Sequence, residues 1–233
     1  MVYMARFHRF LVPFSKSETS VEIKDTEVIS QIMRVLRLEV GDSIIITNGK
    51  GSGATCKMVE ITKPTIIGTL TNMTHKDSDV PRGIHLYLSI LKKDNFELVV
   101  QKAVELGVMK IIPITTERTI KTNLNFERLE KIAKEAVEQS GRVWLPEILS
   151  IQKFENAIRD SESKIIFNMN GDSDWKNKID TTKPISIFIG PEGGWTESEI
   201  EYAKGSGSVV GSLGGTTLRA ETAGIVGVFA VVQ

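Results

Sequence analysis

The sequence predicts a small β-barrel over residues 1–74 and an α/β domain with a largely parallel sheet over residues 84–233. Three observations predict it. Up to Thr74 the apolar runs are short and closely spaced, broken by Gly, Asn, Lys and Pro, as strands joined by tight turns are. From Ile84 onward strand and helix patterns alternate, which builds a parallel sheet with helices on both faces. Between them "HKDSDVPRG", residues 75–83, is polar and carries Pro and Gly, as a linker does.

In the first domain "RFHRFLV", from Arg6, predicts a strand. "DTEVISQIMRVLR" predicts a helix with Val28, Ile32 and Val35 on one stripe. "SIIITNG", "ATCKMVEIT" and "TIIGTLTNM" predict three further strands, with Cys56 as a small core residue. In the second domain "IHLYLSIL" is a strand, and "NFELVVQKAVELG" is a helix capped by Asn95 and stopped by Gly107. "VMKIIPI" is a strand, and "NFERLEKIAKEAVEQSG" an amphipathic helix burying Phe126, Leu129, Ile132, Ala133 and Ala136. "KIIFNMN" and "PISIFIG" are continuous apolar runs, typical of strands covered on both faces. "TESEIEYAKG" opens with Thr196 and Glu199 spaced as a capping box. "SVVGSLG" is another buried strand, and "LRAETAGIVGVFAVVQ" a mostly apolar closing helix.

Composition excludes several classes. No apolar run approaches the ~20 residues that cross a bilayer, and the first residues lack the pattern of a signal peptide. A single cysteine rules out an internal disulfide framework and suits a reducing cytoplasm. His8, His75 and His85 are scattered, so no metal site is expected, and they read as structural or surface residues. Net charge is zero, yet the first forty residues hold two basic clusters, "RFHRF" and "RVLR", which fit either a solvated face or an RNA contact.

Familiar nucleotide motifs fail. The Gly-Lys of "TNGKGSG" is followed by Gly51, not by the hydroxyl residue of a P-loop. "GSGSVVG" follows a helix and precedes a strand, the reverse of a dinucleotide-binding turn. Two junctions remain, "FIGPEGGWTESE" and "GSLGGTTLRAETA", each a buried strand ending in glycines before a helix with a polar start. In an open α/β sheet ligands bind outside the carboxyl ends of the strands, so both could line one pocket. Gly190, Gly193, Gly194, Gly214 and Gly215 let backbone approach a flat heterocycle closely. Glu192 would repel a phosphate but suits ribose hydroxyls or a positive centre, as in a sulfonium nucleoside such as S-adenosylmethionine. Helix-start turns that need φ > 0 would explain each loop singly; the pair favours a ligand.

"RFHRF", "RVLRLEVGD", "LKKDNFELVVQKAVELGV", "EQSGR", "IGPEGGWTESEIE" and "SLGGTTLRAETA" together make the chain resemble the SPOUT, trefoil-knotted methyltransferases. Within these it resembles the bacterial enzymes that methylate N3 of a uridine in 16S ribosomal RNA, over nearly its whole length. The resemblance implies a PUA-like RNA-binding barrel followed by a knotted α/β domain. It implies a homodimer acting in the cytoplasm on 16S rRNA of the small ribosomal subunit, with S-adenosylmethionine as cofactor and no membrane partner. The cofactor would sit against Asn168, Ile189, Gly190, Pro191, Glu192, Gly193, Gly194, Leu213, Gly214, Thr217 and Leu218. Arg219 would stabilise charge on the target ring, or else pair with Glu221 at the helix start. Glu138 would be a base or an orienting residue. RNA would be held by Arg6, Arg9, Arg34 and Arg37, with Lys92, Lys93 and Arg142 nearer the target base. The chain departs from the family pattern at Gly215 and Thr216, where Pro-Arg is usual, and at Gln31, where many relatives have histidine. A SPOUT enzyme acting on another rRNA or tRNA nucleoside, or a non-catalytic RNA-binding assembly protein, would share much of this pattern.

Overall fold

The computed structural model describes residues 8–75, 83–120 and 122–233, with the backbone alone for His75 and Lys93. Arg6 and most of the linker fall outside the described residues. The chain divides into two compact units, Met1–Val80 with Val137–Leu145, and Pro81–Ala136 with Pro146–Gln233.

In the first unit β1 (Arg9–Leu11), β2 (Ser20–Ile23), β3 (Ser43–Thr47), β4 (Ser52–Ile61) and β5 (Ile66–His75) form one sheet in the order β1-β3-β4-β5-β2. Among the described residues only the β1–β3 pair in this sheet is parallel. Strand β2 has four residues, with Val21 and Ile23 turned inward; so short an alternation is below what periodicity detects. Helix α1 (Thr26–Ser30) starts at Asp25, whose carboxylate accepts the Glu27 and Val28 N–H groups. The predicted helix does not run on as α-helix. A π-helical turn, Gln31–Val35, follows, with Leu36 N–H bonded to Gln31 O at 2.9 Å. The wider turn rotates later side chains off the α-helical stripe. Val28 and Ile32 are buried, but Val35 is 72% exposed, contrary to expectation.

Cys56 is fully buried in β4, and burial pushes its thiol up to about 11. A Cβ at Gly68 on β5 would lie 2.2 Å from its Sγ, so that glycine makes room for it. Since the thiolate is the nucleophile, native protein at pH 8 is expected to be alkylated at Cys56 at least about tenfold more slowly than protein in denaturant. Mass spectrometry after timed iodoacetamide treatment checks this; equal rates would mean that the site opens readily.

The second unit contains β6 (Ile84–Ser89), α2 (Lys93–Leu106), β7 (Lys110–Thr115), β8 (Glu147–Ile148), β9 (Gln152–Lys153), α4 (Phe154–Asp160), β10 (Ser163–Asp172), β11 (Ile185–Ile189), α5 (Glu197–Gly205), β12 (Val209–Gly211) and α6 (Ala220–Val232). Helix α3 (Phe126–Ser140) begins in this unit, and its last turn belongs to the first. The sheet order is β12-β10-β11-β6-β7-β8, with β9 also on β7, and every pair is parallel. The α/β class and parallel sheet are as the alternation predicts. Helix α6 packs on α2, β6 and β11. On the other face Phe154, Ala157 and Ile158 of α4 and Ala203 of α5 bury Ile112, Ile166 and Phe188. The sheet is thus covered on both sides, which is why its strands read as continuous apolar runs.

Some boundaries differ from expectation. Helix α2 starts before Asn95, at Lys93, with Lys92 as N-cap, and it ends at Gly107 in the left-handed region (φ 106°) as predicted. In α3, Leu129, Ala133 and Ala136 are buried, and so is Val137, whereas Phe126 and Ile132 are only partly covered. Elements β8, β9 and α4 have two to seven residues and gave no readable pattern.

Candidate functional site

Because all strands of this sheet run the same way, the segments leaving β6, β10, β11 and β12 emerge on one edge. A cleft of about 660 Å³ lies there, within the range of small-molecule sites. All eleven residues expected to hold a cofactor line it: Asn168 from β10, Ile189 to Gly194 from β11, and Leu213, Gly214, Thr217 and Leu218 after β12. Arg219 and Lys92 line it too. The glycine loops, read separately in the sequence, face each other across this one space.

Each wall has its own support. After β11, Gly194 (φ 68°) donates its N–H to Pro191 O at 2.8 Å and closes a turn that only glycine adopts without strain. Trp195 is buried behind that turn, its Nε1–H bonded to Phe167 O at 3.0 Å. A Cβ at Gly190 would lie 3.0 Å from the indole, so backbone and ring touch directly. The capping box of α5 is present: Thr196 accepts Glu199 N–H, and Glu199 Oε2 accepts Thr196 N–H at 2.8 Å. After β12, Ser212 N–H bonds to Asp172 O at 2.9 Å, and Trp175 Nε1–H bonds to Ser212 O at 3.1 Å. Thr217 donates its hydroxyl to Met169 Sδ at 2.8 Å, linking the β12 loop to the end of β10.

Charge in the cleft is balanced. Lys92 and Arg219 line it together with Glu192 and Glu221, so among the described residues the lining carries no excess of cations to hold a phosphate chain. Glu192 has a use that sequence alone does not disclose: its Oε1 accepts Lys92 N–H at 3.1 Å, placing a carboxylate at the start of α2. Arg219 is the N-cap residue of α6 and exposed. Among the described residues no hydrogen bond or ion pair engages its guanidinium, so the alternative pairing with Glu221 is not formed.

The remaining expected residues lie elsewhere. Glu138 does not line the cleft; its Oε1 accepts Leu11 N–H at 2.9 Å and ties α3 to β1 within the first unit. Arg9 is exposed there, its guanidinium beside Gly141, where a Cβ would be 3.2 Å from Nε. Arg142 follows, half-buried, and burial pushes its guanidinium down to about 10. Arg34 and Arg37 are exposed beside Val35, with Arg37 in the left-handed region (φ 54°). Arg6 and the Lys93 side chain lie outside the described residues. Sequence reasoning missed Arg118, whose Nη1 donates to Gly193 O at 2.6 Å. Its partner is 75 positions away, so no local pattern carries the signal.

Among the described residues no helix is long and apolar enough to cross a membrane, and no cluster of three metal-ligating side chains is present. Two known family models match this chain. Residues 78–232 match the family described as an RNA methyltransferase domain, and residues 32–71 match an RNA methyltransferase PUA domain. Ribosomal RNA small subunit methyltransferase E of Bacillus subtilis is 29% identical over 214 residues, covering 84% of this chain and 84% of its own. The protein of the same name from Synechocystis is 31% identical over 208 residues, covering 85% and 68%. The crystal structure of ribosomal RNA small subunit methyltransferase E from Neisseria gonorrhoeae, bound to S-adenosyl methionine, superposes with a TM-score of 0.86 at 30% identity and covers 96% of each chain.

Proposed function

This chain belongs to the RNA methyltransferase family, and we propose that it transfers a methyl group from S-adenosylmethionine to N3 of one uridine in 16S ribosomal RNA of the small subunit. The observation that carries the reading is that two glycine loops wall one shared cleft at the carboxyl ends of β6, β10, β11 and β12, balanced in charge among the described residues. Its size, its close backbone approach and its lack of cationic excess suit an adenosine bearing a sulfonium better than a phosphorylated nucleotide. The residues that would hold the donor are Asn168, the Ile189–Gly194 loop, Leu213, Gly214, Thr217 and Leu218. When bound, S-adenosylmethionine supplies an electrophilic methyl group and a neutral thioether leaving group.

What the chain must add is alignment and charge control at the acceptor. Uracil N3 is a poor nucleophile until its proton leaves, and the ring oxygens then carry negative charge. Arg219, exposed in the cleft, is assigned the stabilisation of that charge. Glu138 is assigned the orienting role, holding β1 through Leu11, since its carboxylate is occupied with that amide. N3 of a paired uridine is hidden, so the target base must be unpaired or flipped out.

Residues 1–74 serve, on this reading, as a PUA-like RNA-binding barrel, residues 75–83 as a linker, and residues 84–233 as a trefoil-knotted catalytic domain. Arg9, Arg34 and Arg37, with Arg6, supply phosphate contacts, and Lys92, Lys93 and Arg142 are assigned to the target base. The protein works as a cytoplasmic homodimer. Leu98 on α2 and Phe229 and Val232 on α6 are large apolar side chains left exposed, as a second subunit would need.

The test is mass mapping of methylated nucleosides in 16S rRNA and 30S particles from a strain lacking this activity, before and after treatment with the protein and S-adenosylmethionine. One new N3-methyluridine is expected. Methylation of another nucleoside would reassign the target, and failure to bind S-adenosylmethionine by calorimetry would leave an assembly protein instead. Affinity for the RNA is expected to fall roughly 10-fold or more between 50 and 200 mM salt, if about two to three phosphates are neutralised. A salt-insensitive affinity, measured by filter binding, would remove the arginines from the interface.

A further inference from the structure

We infer that Arg118 is a positioning residue for the methyl donor: it holds the Pro191–Trp195 loop in its binding shape by gripping backbone carbonyls from outside the cleft. The inference rests on the assignment of that loop to S-adenosylmethionine. Gly193 and Gly194 have no side chains to restrain them, so the loop's own residues leave its shape weakly determined. The Gly194 N–H is held by Pro191 O inside the turn. The carbonyl of the same peptide, Gly193 O, is held by Arg118 Nη1 at 2.6 Å, and Trp195 O lies 3.4 Å from the same nitrogen. One peptide plane is therefore fixed from both sides. The stem of Arg118 also lies along Gly193, where a Cβ would be 3.3 Å from its Cδ.

Arg118 is itself well placed to act as a strut. It sits just past β7, in a turn where Thr116 N–H bonds to Thr119 Oγ1 at 2.8 Å and Thr119 N–H to Thr116 O at 3.1 Å. Beside it, Glu117 N–H bonds to Glu199 Oε1 at 2.9 Å. The other oxygen of that buried carboxylate caps α5 through Thr196. Two adjacent residues of one short turn thus hold the loop and the helix that follows it. Neither Arg118 nor Glu117 lines the cleft, so an effect on donor binding must pass through the loop.

A loop that is only partly in its competent shape binds with an affinity reduced by that fraction, while a saturated enzyme turns over normally. The test is a comparison of wild type, Arg118→Met and Arg118→Lys by calorimetric Kd for S-adenosylmethionine, steady-state kinetics and thermal melting. Arg118→Met keeps the stem and loses the guanidinium. Its Kd and KM for S-adenosylmethionine are expected to rise about tenfold, the worth of one charge-assisted hydrogen bond, with kcat at saturation within about twofold. Arg118→Lys, which can still donate to one carbonyl, is expected to recover part of that loss, to about threefold above wild type. An unchanged Kd in Arg118→Met overturns the inference, as does a fall in kcat with Kd unchanged. Should Arg118→Met fail to fold, an unchanged Kd in Arg118→Lys does the same. If wild type itself binds no S-adenosylmethionine, it is the methyltransferase reading that fails.

Discussion

Arg219→Ala is expected to slow methyl transfer about 10²–10³-fold at saturating donor and RNA, with Kd for S-adenosylmethionine within about twofold of wild type. The size follows from what a single well-placed cation or hydrogen-bond donor contributes where charge develops in a transition state, about 2.7–4 kcal/mol. Arg219 can supply it because of where the fold leaves it. It is the residue before α6, so its backbone is fixed by the helix that begins at Ala220, while its side chain projects from the helix start into the cleft. Among the described residues no hydrogen bond or ion pair engages its guanidinium, so it does not have to be withdrawn from a partner before meeting the acceptor. The donor site, by contrast, is built from Asn168 and the glycine loops, which the substitution leaves intact.

The kinetic pattern separates this role from simple RNA attraction. A cation that only drew in phosphate would raise KM for RNA and respond to salt, with kcat spared. A cation on the ring oxygens lowers kcat. Arg219→Lys keeps the charge but loses the planar fork and is expected to recover only part of the rate. Single-turnover methylation of 30S particles with tritiated donor checks all three. A wild-type kcat in Arg219→Ala would move the charge-stabilising role to another residue, with Lys92 the next cation in the cleft.

Parts of this site were legible in the sequence for a physical reason. A buried parallel strand must be apolar on both faces, and a helix start must have caps. "PISIFIG" and "TESEIE" therefore announce β11 and α5, and the glycines between them mark where backbone approaches a ligand. That the β11 and β12 loops share one cleft follows from the parallel sheet, because parallel strands release their loops on one edge. What stayed hidden is non-local or too short. Arg118 and Glu117 meet Gly193 and Glu199 across 75 and 82 positions, and only the parallel sheet, with β6 alone between β7 and β11, brings the segments leaving those strands together. Glu192 stood out in the sequence as a carboxylate among glycines, but its acceptance of Lys92 N–H, 100 positions away, did not. Val35 departs from the predicted stripe because periodicity assumes one helix type, and the π-turn at Gln31–Val35 breaks that assumption.

Gly171 shows the same limit most sharply, and Gly171→Ala is expected to destabilise the protein by about 2–3 kcal/mol and to weaken donor binding. In "NMNGDSD" it looks like an ordinary turn glycine. Its reason lies in register. Strand β10 pairs with β12 through Ile165–Val209, Ile166–Val210 and Phe167–Gly211, and then Asp172 also pairs with Gly211. The residues between Phe167 and Asp172 therefore leave the ladder and return to the same partner, and this excursion carries Asn168 and Met169 into the cleft. On its way back the chain passes so close to β12 that a Cβ on Gly171 would lie 2.3 Å from Gly211 C, 2.4 Å from Gly211 O and 2.8 Å from Ser212 N. Backbone cannot swing aside as a side chain can, so the excursion must lift. β12 cannot yield in its place, because a Cβ at Gly211 would already meet Ile165 and Trp175 at 2.9 Å. The lift also acts on function, since Asp172 O holds Ser212 N–H and Met169 Sδ holds Thr217. A domain of this size loses about 2–4 °C per kcal/mol, so Tm is expected to drop by about 4–12 °C, with a clear rise in Kd for S-adenosylmethionine. Gly205→Ala is the matched control: nothing lies within 4 Å of its Cβ position and its φ is not in the left-handed range, so it is expected to melt within about 0.5 kcal/mol of wild type. Equal melting of the two variants would mean that β10 and β12 separate at little cost, and the excursion would then be a flexible loop and not a fixed wall of the site.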